Sequence, residues 1–234
     1  MKKVFSLNGH QLKMIAIGAM LIDHLAWSFV NTYSWRGQIM HFLGRITAPV
    51  MCFFIAEGYH YTRSLPRYLQ RLAVFASLSQ IPFTLFAVGK IALIPLNVIY
   101  TLFLGLAAIY SYDTIEDKLK RNLVILGIII LSLPADWTFL APLLCLLFHI
   151  YRGDLLTQAG VLTALALALG VSPVFLNALG YAGIWWDSLF HLGIILNIPL
   201  LYLYNGQKGG SKYSRWFFYI FYPVHLLILG LLRW

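Results

Sequence analysis

Three ionisable side chains lie inside two long apolar runs near the start of the sequence. Asp23 and His24 are adjacent in the run LKMIAIGAMLIDHLAWSFV, and Arg45 lies in the run HFLGRITAPVMCFFIAEGYHYTR. A charged group at the centre of a membrane-spanning helix costs about 2.5–3.5 kcal/mol, so such groups usually mark a functional site. These three residues are therefore the first candidates for one.

Helix geometry assigns different partners to Asp23 and His24. Adjacent side chains on a helix point about 100° apart, so these two cannot hydrogen-bond to each other as a catalytic pair. A guanidinium stays charged in proteins and can bind a carboxylate through two hydrogen bonds. We therefore predict a buried structural ion pair between Asp23 and Arg45, which leaves His24 as the candidate general base. The structural alternative is a histidine held by a backbone carbonyl or by Asn97.

Two further polar residues are candidates for catalysis. Asn97 lies in the fourth apolar run at a predicted depth similar to that of His24, and His225 lies in the sequence FYPVHL of the last run. Pro223 removes a backbone hydrogen bond and can open a polar notch beside His225, or simply kink the helix. We predict that His225 or Asn97 could stabilise an oxyanion.

Three arginines follow the second run within nine residues: Arg63, Arg67 and Arg71. Guanidinium groups suit phosphate geometry, so these residues are candidates to bind a phosphorylated cofactor. The alternative is that they only orient the helix in the membrane. We predict no metal site, because the histidines, the two cysteines and the carboxylates lack the spacing of metal ligands.

The composition indicates that membrane-spanning helices position these residues. Of the 234 residues, 60% are hydrophobic and 11% are charged, and the mean hydropathy is +0.77. A spanning helix needs about 20 residues, which predicts an all-α, polytopic membrane bundle of about nine transmembrane helices in one domain covering 1–234. The expected location is the cell (plasma or inner) membrane, with lipid and no nucleic acid as a partner. The nine apolar runs are 11–30, 39–60, 68–88, 91–112, 121–134, 138–151, 155–171, 188–204 and 215–232.

The positions of the basic residues predict the orientation. Alternate connections are rich in lysine and arginine, and the positive-inside rule places those connections in the cytoplasm. The N-terminus is then cytoplasmic, and several tryptophans, Trp185 among them, fall near the outer interface. The basic residues assigned to the cytoplasm are Lys2, Lys3, Arg63, Arg67, Arg71, Lys118, Lys120, Arg121, Arg152, Lys208, Lys212 and Arg215.

The ordered motifs of the chain resemble the TraX family. They are DH in the first run, GR-x-x-x-P in the second, QIPF in the third, YNG-x-x-G before the last run, and YP-x-HL within it. The resemblance covers nearly the whole chain. It implies acetylation chemistry, because the founding member of the family is implicated in N-terminal acetylation of F-pilin.

The first two runs are also distantly similar to acyltransferase-3 proteins and heparan glucosaminide N-acetyltransferases. The resemblance implies an essential histidine at the outer end of the first span, which His24 matches. It also implies an arginine pair that engages the acyl donor. The nearest match is Arg67 and Arg71, spaced R-x-x-x-R where the family has R-x-x-R.

Together these observations predict an integral-membrane acetyltransferase. The expected donor is cytoplasmic acetyl-CoA, held near Arg63, Arg67 and Arg71. The expected acceptor is an amine or hydroxyl at the outer side, such as a peptide N-terminus, an amino sugar or a glycan. Two alternatives remain open: a small transporter or channel with a buried Asp/Arg/His path, and a non-catalytic assembly partner.

Overall fold

The computed structural model describes residues 6–178, 184, 186–211 and 214–234. Within these residues the regular structure is helical, apart from two isolated bridging pairs, Leu7 with Tyr204 and Leu96 with Ala135. Four residues used in the predicted orientation lie outside the described residues: Lys2, Lys3, Trp185 and Lys212. The helices are α1 (Gly9–Phe29), α2 (Trp35–Gly44), α3 (Thr47–Tyr61), α4 (Leu65–Val88), α5 (Val98–Thr114), α6 (Lys118–Ser132), α7 (Leu140–Ile150), α8 (Leu155–Gly170), α9 (Ser172–Ala178), a 3-10 helix (Leu189–Leu196), α10 (Asn197–Leu203) and α11 (Ser214–Arg233).

Each of the nine predicted apolar runs corresponds to one helix or to two consecutive helical segments. In the described part of the chain, five segments are long and apolar enough to cross a membrane: α1, α2 with α3, α4, α8 with the start of α9, and most of α11. The segments α5, α7 and Leu189–Leu203 are shorter apolar helices. The predicted all-α polytopic membrane fold is confirmed, and the protein is a multi-pass membrane protein.

Two helices differ from the predicted runs in where they begin or end. The second run is divided at Arg45, whose N–H bonds to the carbonyls of His41 and Phe42 and closes the last turn of α2. The helix of the fourth run begins at Val98 rather than residue 91, because the Asn97 side chain accepts the N–H of Ile99 and caps α5. An asparagine in this position satisfies a backbone donor that the first turn leaves without a partner.

The chain forms two compact units. Unit 1 comprises the residues up to Val50 together with Gly153–Phe218, and unit 2 comprises Met51–Arg152 together with Tyr219–Trp234. The prediction of a single domain stays a prediction.

Unit 1 is built on α1, α2, α8 and the 3-10 helix, and α2 packs against both α1 and the 3-10 helix. Two glycines permit these contacts. A Cβ atom added at Gly44 would overlap the Asp23 side chain, and one added at Gly193 would overlap the carbonyl oxygen of Phe42. Small residues are typical where membrane helices approach closely.

We expect Gly193→Ala to destabilise the protein, whereas Gly18→Ala should not. The new methyl group at position 193 would collide with rigid backbone, and overpacking of this kind costs about 1–3 kcal/mol. A Cβ atom at Gly18 meets nothing within 4 Å, and alanine is the better helix former by about 0.5–1 kcal/mol. Thermal unfolding of both variants in the same detergent checks the prediction. Equal midpoints for the two variants would contradict the packing at Gly193.

A glycine-rich loop of unit 1 folds back onto the beginning of α1. The N–H of Gly9 donates to the carbonyl of Gln207 at 2.7 Å, and the N–H of His10 donates to the carbonyl of Lys208 at 2.9 Å. These bonds satisfy backbone donors that a helix start leaves open. The end of unit 1 where α1 begins therefore also holds Lys208.

In unit 2, α5 lies between α4, α6 and α7. Gly105 allows α5 to approach α7, because a Cβ atom at that position would lie 2.6 Å from the sulfur of Cys145. Cys52 and Cys145 are both buried, free thiols. Burial among apolar neighbours is consistent with the prediction that they act as small hydrophobic side chains.

Candidate functional site

A buried group of three ionisable side chains lies between α1 and the end of α2. Arg45 Nη2 donates to Asp23 Oδ2 at 3.0 Å and to Asp23 Oδ1 at 3.2 Å. His41 Nδ1 lies 2.8 Å from Asp23 Oδ1. The side chain of His41 is fully buried, and those of Asp23 and Arg45 are each 11% exposed. One carboxylate thus holds both a guanidinium and an imidazole.

The carboxylate fixes the tautomer of His41. An ionised carboxylate only accepts hydrogen bonds, so Nδ1 of His41 carries the proton and donates it to Asp23. In the neutral imidazole the other nitrogen, Nε2, then has a lone pair. Nε2 is buried and has no hydrogen-bond partner among the described residues. This is the arrangement of a histidine base oriented by an aspartate.

Aromatic side chains surround this base. The ring of His41 lies 4.3 Å from that of Trp27 and 5.4 Å from that of Phe190, measured between centroids. The Arg45 guanidinium lies over Phe190, with its carbon 5.1 Å from the ring centroid. A water-poor, low-dielectric surrounding strengthens the attraction between Asp23 and its two partners.

Two amide side chains near α2 have oxygens that accept no hydrogen bond from the described residues: Gln38, which lies on α2, and Asn197, which bonds to the backbone at the end of α2. Asn197 is fully buried, and its Nδ2 donates to the carbonyls of Arg45 and Ile194, which leaves Oδ1 without a partner among the described residues. Gln38, three residues before His41, donates through Nε2 to the carbonyls of Thr32 and Asp187, and its Oε1 is likewise unpaired. The carbonyl partners determine which end of each amide is nitrogen.

Gln38 lines an open groove with aromatic walls. Its volume is about 500 Å³, and Tyr33, Trp35, Gln38, Ile39, Trp186 and Leu189 line it. Because Gln38 and His41 are three residues apart, they lie on the same face of α2. The groove therefore opens one turn of α2 away from the Asp23–His41 pair.

The predicted catalytic residues fall in different units. His24 belongs to unit 1 and is partly buried on α1, where its backbone carbonyl accepts a hydrogen bond from Ser28. In unit 2, the Asn97 amide donates to the carbonyl of Ala76 at 2.7 Å and to Gln80 Oε1 at 2.9 Å, besides capping α5. His225 is buried in α11 and donates from Nδ1 to the carbonyl of Phe221 at 2.8 Å.

The predicted cofactor-binding arginines lie at the beginning of α4 and just before it, in unit 2. Arg63 and Arg67 are exposed. Arg71 packs over the ring of Tyr68 at 5.2 Å, and its Nε is buried without a hydrogen-bond partner among the described residues. Guanidinium groups are therefore available at this end of unit 2.

Sequence reasoning missed a second polar cluster, at the ends of α3, α5 and α7 in unit 2. His149 Nε2 donates to Asp113 Oδ1 at 2.9 Å, and His149 Nδ1 lies 3.1 Å from His60 Nε2. Beside them, Arg152 Nε donates to Glu57 Oε1 at 2.6 Å. This hydrogen bond raises the pKa of Arg152 above its ordinary value.

A signal in the sequence could have identified His41. It lies four residues before Arg45, so the two side chains share one helix face. Since the sequence already predicts an ion pair between Arg45 and Asp23, His41 could be expected near Asp23 as well. No comparable spacing connects His60, Asp113 and His149, which lie on three different helices and meet only after those helices pack.

The comparisons with known proteins identify the family of the chain. The family described as TraX protein matches residues 8–233. The chain is also 31% identical over 241 residues to the probable fimbrial assembly protein FimC, serogroup H1, of Dichelobacter nodosus, and the alignment covers 98% of this chain and 97% of that protein. No solved structure matches the chain. Since both matches extend over nearly all of its length, the chain belongs to the TraX family.

Proposed function

We propose that this TraX family membrane protein is an acetyltransferase, which moves an acetyl group from cytoplasmic acetyl-CoA to an acceptor at the outer side of the membrane. The observation that supports it most is the buried Asp23–His41 hydrogen bond, which leaves His41 Nε2 available as a base. A membrane-embedded ionisable group is a functional candidate by default. Asp23 orients His41 and not His24, so we assign the base to His41.

The chemistry assigned to the site is a direct acyl transfer. His41 Nε2 accepts one proton from the acceptor nitrogen as that nitrogen forms a bond to the acetyl carbon. The carbon–sulfur bond breaks, its electron pair stays on sulfur, and the proton held by His41 passes to the thiolate. Asp23 stabilises the imidazolium that exists between these two proton transfers, in the way that a buried aspartate supports a catalytic histidine.

An amine fits the site better than a hydroxyl. An amine nitrogen has more than one proton to donate, whereas a hydroxyl has one. The site offers Asn197 Oδ1 and Gln38 Oε1 as acceptors in addition to His41 Nε2. The relative's name supports an acceptor among fimbrial subunits, and we propose a peptide amine as the first substrate to examine.

Transfer of labelled acetyl groups tests this function. The protein is reconstituted in lipid nanodiscs with labelled acetyl-CoA and offered a peptide with a free N-terminus, an amino sugar or a neutral glycan. We expect label on the peptide, and no label on the same peptide with a blocked N-terminus. No transfer to any acceptor, with the protein folded, would contradict the proposal and favour the non-catalytic assembly partner that the relative's name also permits.

A further inference from the structure

His191 is a second histidine beside the Asp23–His41 pair, and the chemistry described above does not use it. It lies in the 3-10 helix of unit 1, and its ring stacks on that of Phe190 at 4.2 Å, measured between centroids. The Phe190 ring also lies 5.4 Å from the ring of His41, and the Arg45 guanidinium packs over it. One aromatic side chain therefore contacts both imidazoles.

Hydrogen bonding fixes the tautomer of His191. A backbone carbonyl only accepts hydrogen bonds, so the 3.0 Å contact with the carbonyl of Ser188 places a proton on Nδ1. In the neutral imidazole Nε2 then has a lone pair, and it makes no hydrogen bond to the described residues. His191 is half-buried, whereas His41 is fully buried. His191 is therefore a base that can exchange a proton with water outside the buried pair.

The packing of the 3-10 helix holds His191 in place. On one side, Ser188 Oγ donates to the carbonyl of Gly170 at the end of α8, at 3.1 Å. On the other side, Gly193 lies against the carbonyl of Phe42 on α2 so closely that a Cβ atom would overlap it. The residues before and after His191 are thus anchored to two different helices.

Few charged or titratable side chains surround the 3-10 helix. It packs against α8, α2 and α10, and α8 has no such residue. Carboxylate and guanidinium groups keep their charge between pH 7 and pH 9. The charge of an acceptor amine, in contrast, changes in this range. The groups of the other packed elements, of α1 beside them and of the turn before the 3-10 helix are Asp23, Arg36, His41, Arg45, Asp187 and Tyr202.

The proposed reaction must release one proton that His41 does not carry away. A peptide α-amine has a pKa of about 8, so about nine-tenths of it is protonated at pH 7. An ammonium nitrogen has no lone pair with which to attack, so one proton must leave first. The proton that His41 accepts during the attack passes to the thiolate. His41 therefore returns to its neutral form without exporting any proton.

We propose that His191 removes this first proton, and this assignment rests on the proposed function. Nε2 accepts a proton from the acceptor ammonium, directly or through one water. The N–H bond breaks, its electron pair stays on nitrogen, and that nitrogen attacks the acetyl carbon while His41 takes the second proton. Arg45, on the same Phe190 ring, repels a second positive charge, so the proton passes from His191 to water. The acceptor is then a primary amine that arrives as its ammonium ion.

The pH dependence of His191→Asn tests this step. The variant should acetylate only the unprotonated amine, so at pH 7 we expect its kcat/KM for a peptide acceptor to fall about tenfold, following the fraction of free amine. At pH 9 most of the amine is unprotonated, and the variant should equal the wild type. The kcat at saturating peptide should change little at either pH. Initial rates in nanodiscs at saturating acetyl-CoA give these values.

An acceptor that needs no deprotonation gives a second readout. The same peptide with an aminooxyacetyl group at its N-terminus is unprotonated at pH 7, so His191→Asn should acetylate it as fast as the wild type does. His191→Phe keeps a ring against Phe190 and should give the same pH profile, even if asparagine perturbs the packing. His10→Asn is the control, because it removes a half-buried histidine at the other end of α1, and it should leave both rates unchanged.

Two results would overturn the role of His191. One is an equal kcat/KM for both His191 variants and the wild type at pH 7. The other is an equal loss at pH 7, at pH 9 and with the aminooxy peptide, which would make the role of His191 structural. In both cases the wild type still transfers acetyl groups and the proposed function stands. If the wild type acetylates no amine, the proposed function fails, and the proton step fails with it.

Discussion

Replacing His41 with alanine is expected to lower the rate of acetyl transfer by about 10²–10⁴-fold, the usual contribution of a positioned general base. His41 is the histidine that Asp23 orients, and its Nε2 has no partner among the described residues. The KM for the donor should change little, because the imidazole acts on the acceptor nitrogen. Initial rates at saturating acetyl-CoA, in the same nanodiscs for wild type and variant, give the comparison.

His24→Ala is the matched control for this prediction. His24 is adjacent to Asp23 in the chain, so both variants remove an imidazole from the same region of unit 1. If His24→Ala abolishes transfer and His41→Ala retains it, the base assigned from the sequence is correct and the base assigned here is wrong. The thermal midpoint of each variant must stay near that of the wild type for the rates to be compared.

The second large effect concerns stability. Asp23→Ala is expected to destabilise the protein by about 3–5 kcal/mol, the usual result of removing one partner from a buried ion pair. The substitution leaves the Arg45 guanidinium without its carboxylate in a membrane-spanning segment and removes the acceptor for His41 Nδ1. Chemical unfolding in mixed micelles, monitored by tryptophan fluorescence, provides the measurement.

Two companion variants make the stability result specific. Asp154→Ala also removes an aspartate from unit 1, but an exposed one that caps a helix, and its expected cost is about 1 kcal/mol. Arg45→Met combined with Asp23→Ala should recover part of the loss, because the double variant no longer buries an unpaired charge. If Asp23→Ala costs no more than Asp154→Ala, the Asp23–Arg45 pair does not stabilise unit 1.

Hydropathy was sufficient to predict the helical membrane fold. Long apolar runs indicate membrane helices because the hydrocarbon core of the bilayer holds no water. Backbone N–H and C=O groups there must form hydrogen bonds within the protein, and a helix forms all of them within one segment. Each predicted run contains at least one helix of the structure. The pairing of Asp23 with Arg45 was predictable for a similar reason, since a buried guanidinium needs a carboxylate and one lies on the preceding run.

Features that depend on packing were not predictable from local sequence. The division of the second run at Arg45 orients α2 so that His41 reaches Asp23, and hydropathy does not change at that point. His60, Asp113 and His149 come together only through the packing of three helices. The contact between the glycine-rich loop and the start of α1 joins residues nearly 200 positions apart, which no local pattern encodes.

Acceptor-dependent release of the coenzyme A thiol is the measurement that tests the central claim most directly. Free thiol is followed after a peptide amine is added to the reconstituted protein and acetyl-CoA. The predicted result is one thiol released for each amine acetylated by the wild type, and a rate lower by about 10²-fold or more in His41→Ala. Thiol release that ignores the acceptor, or an equal rate in His41→Ala, would contradict the assignment of His41 as the base of an acetyltransferase.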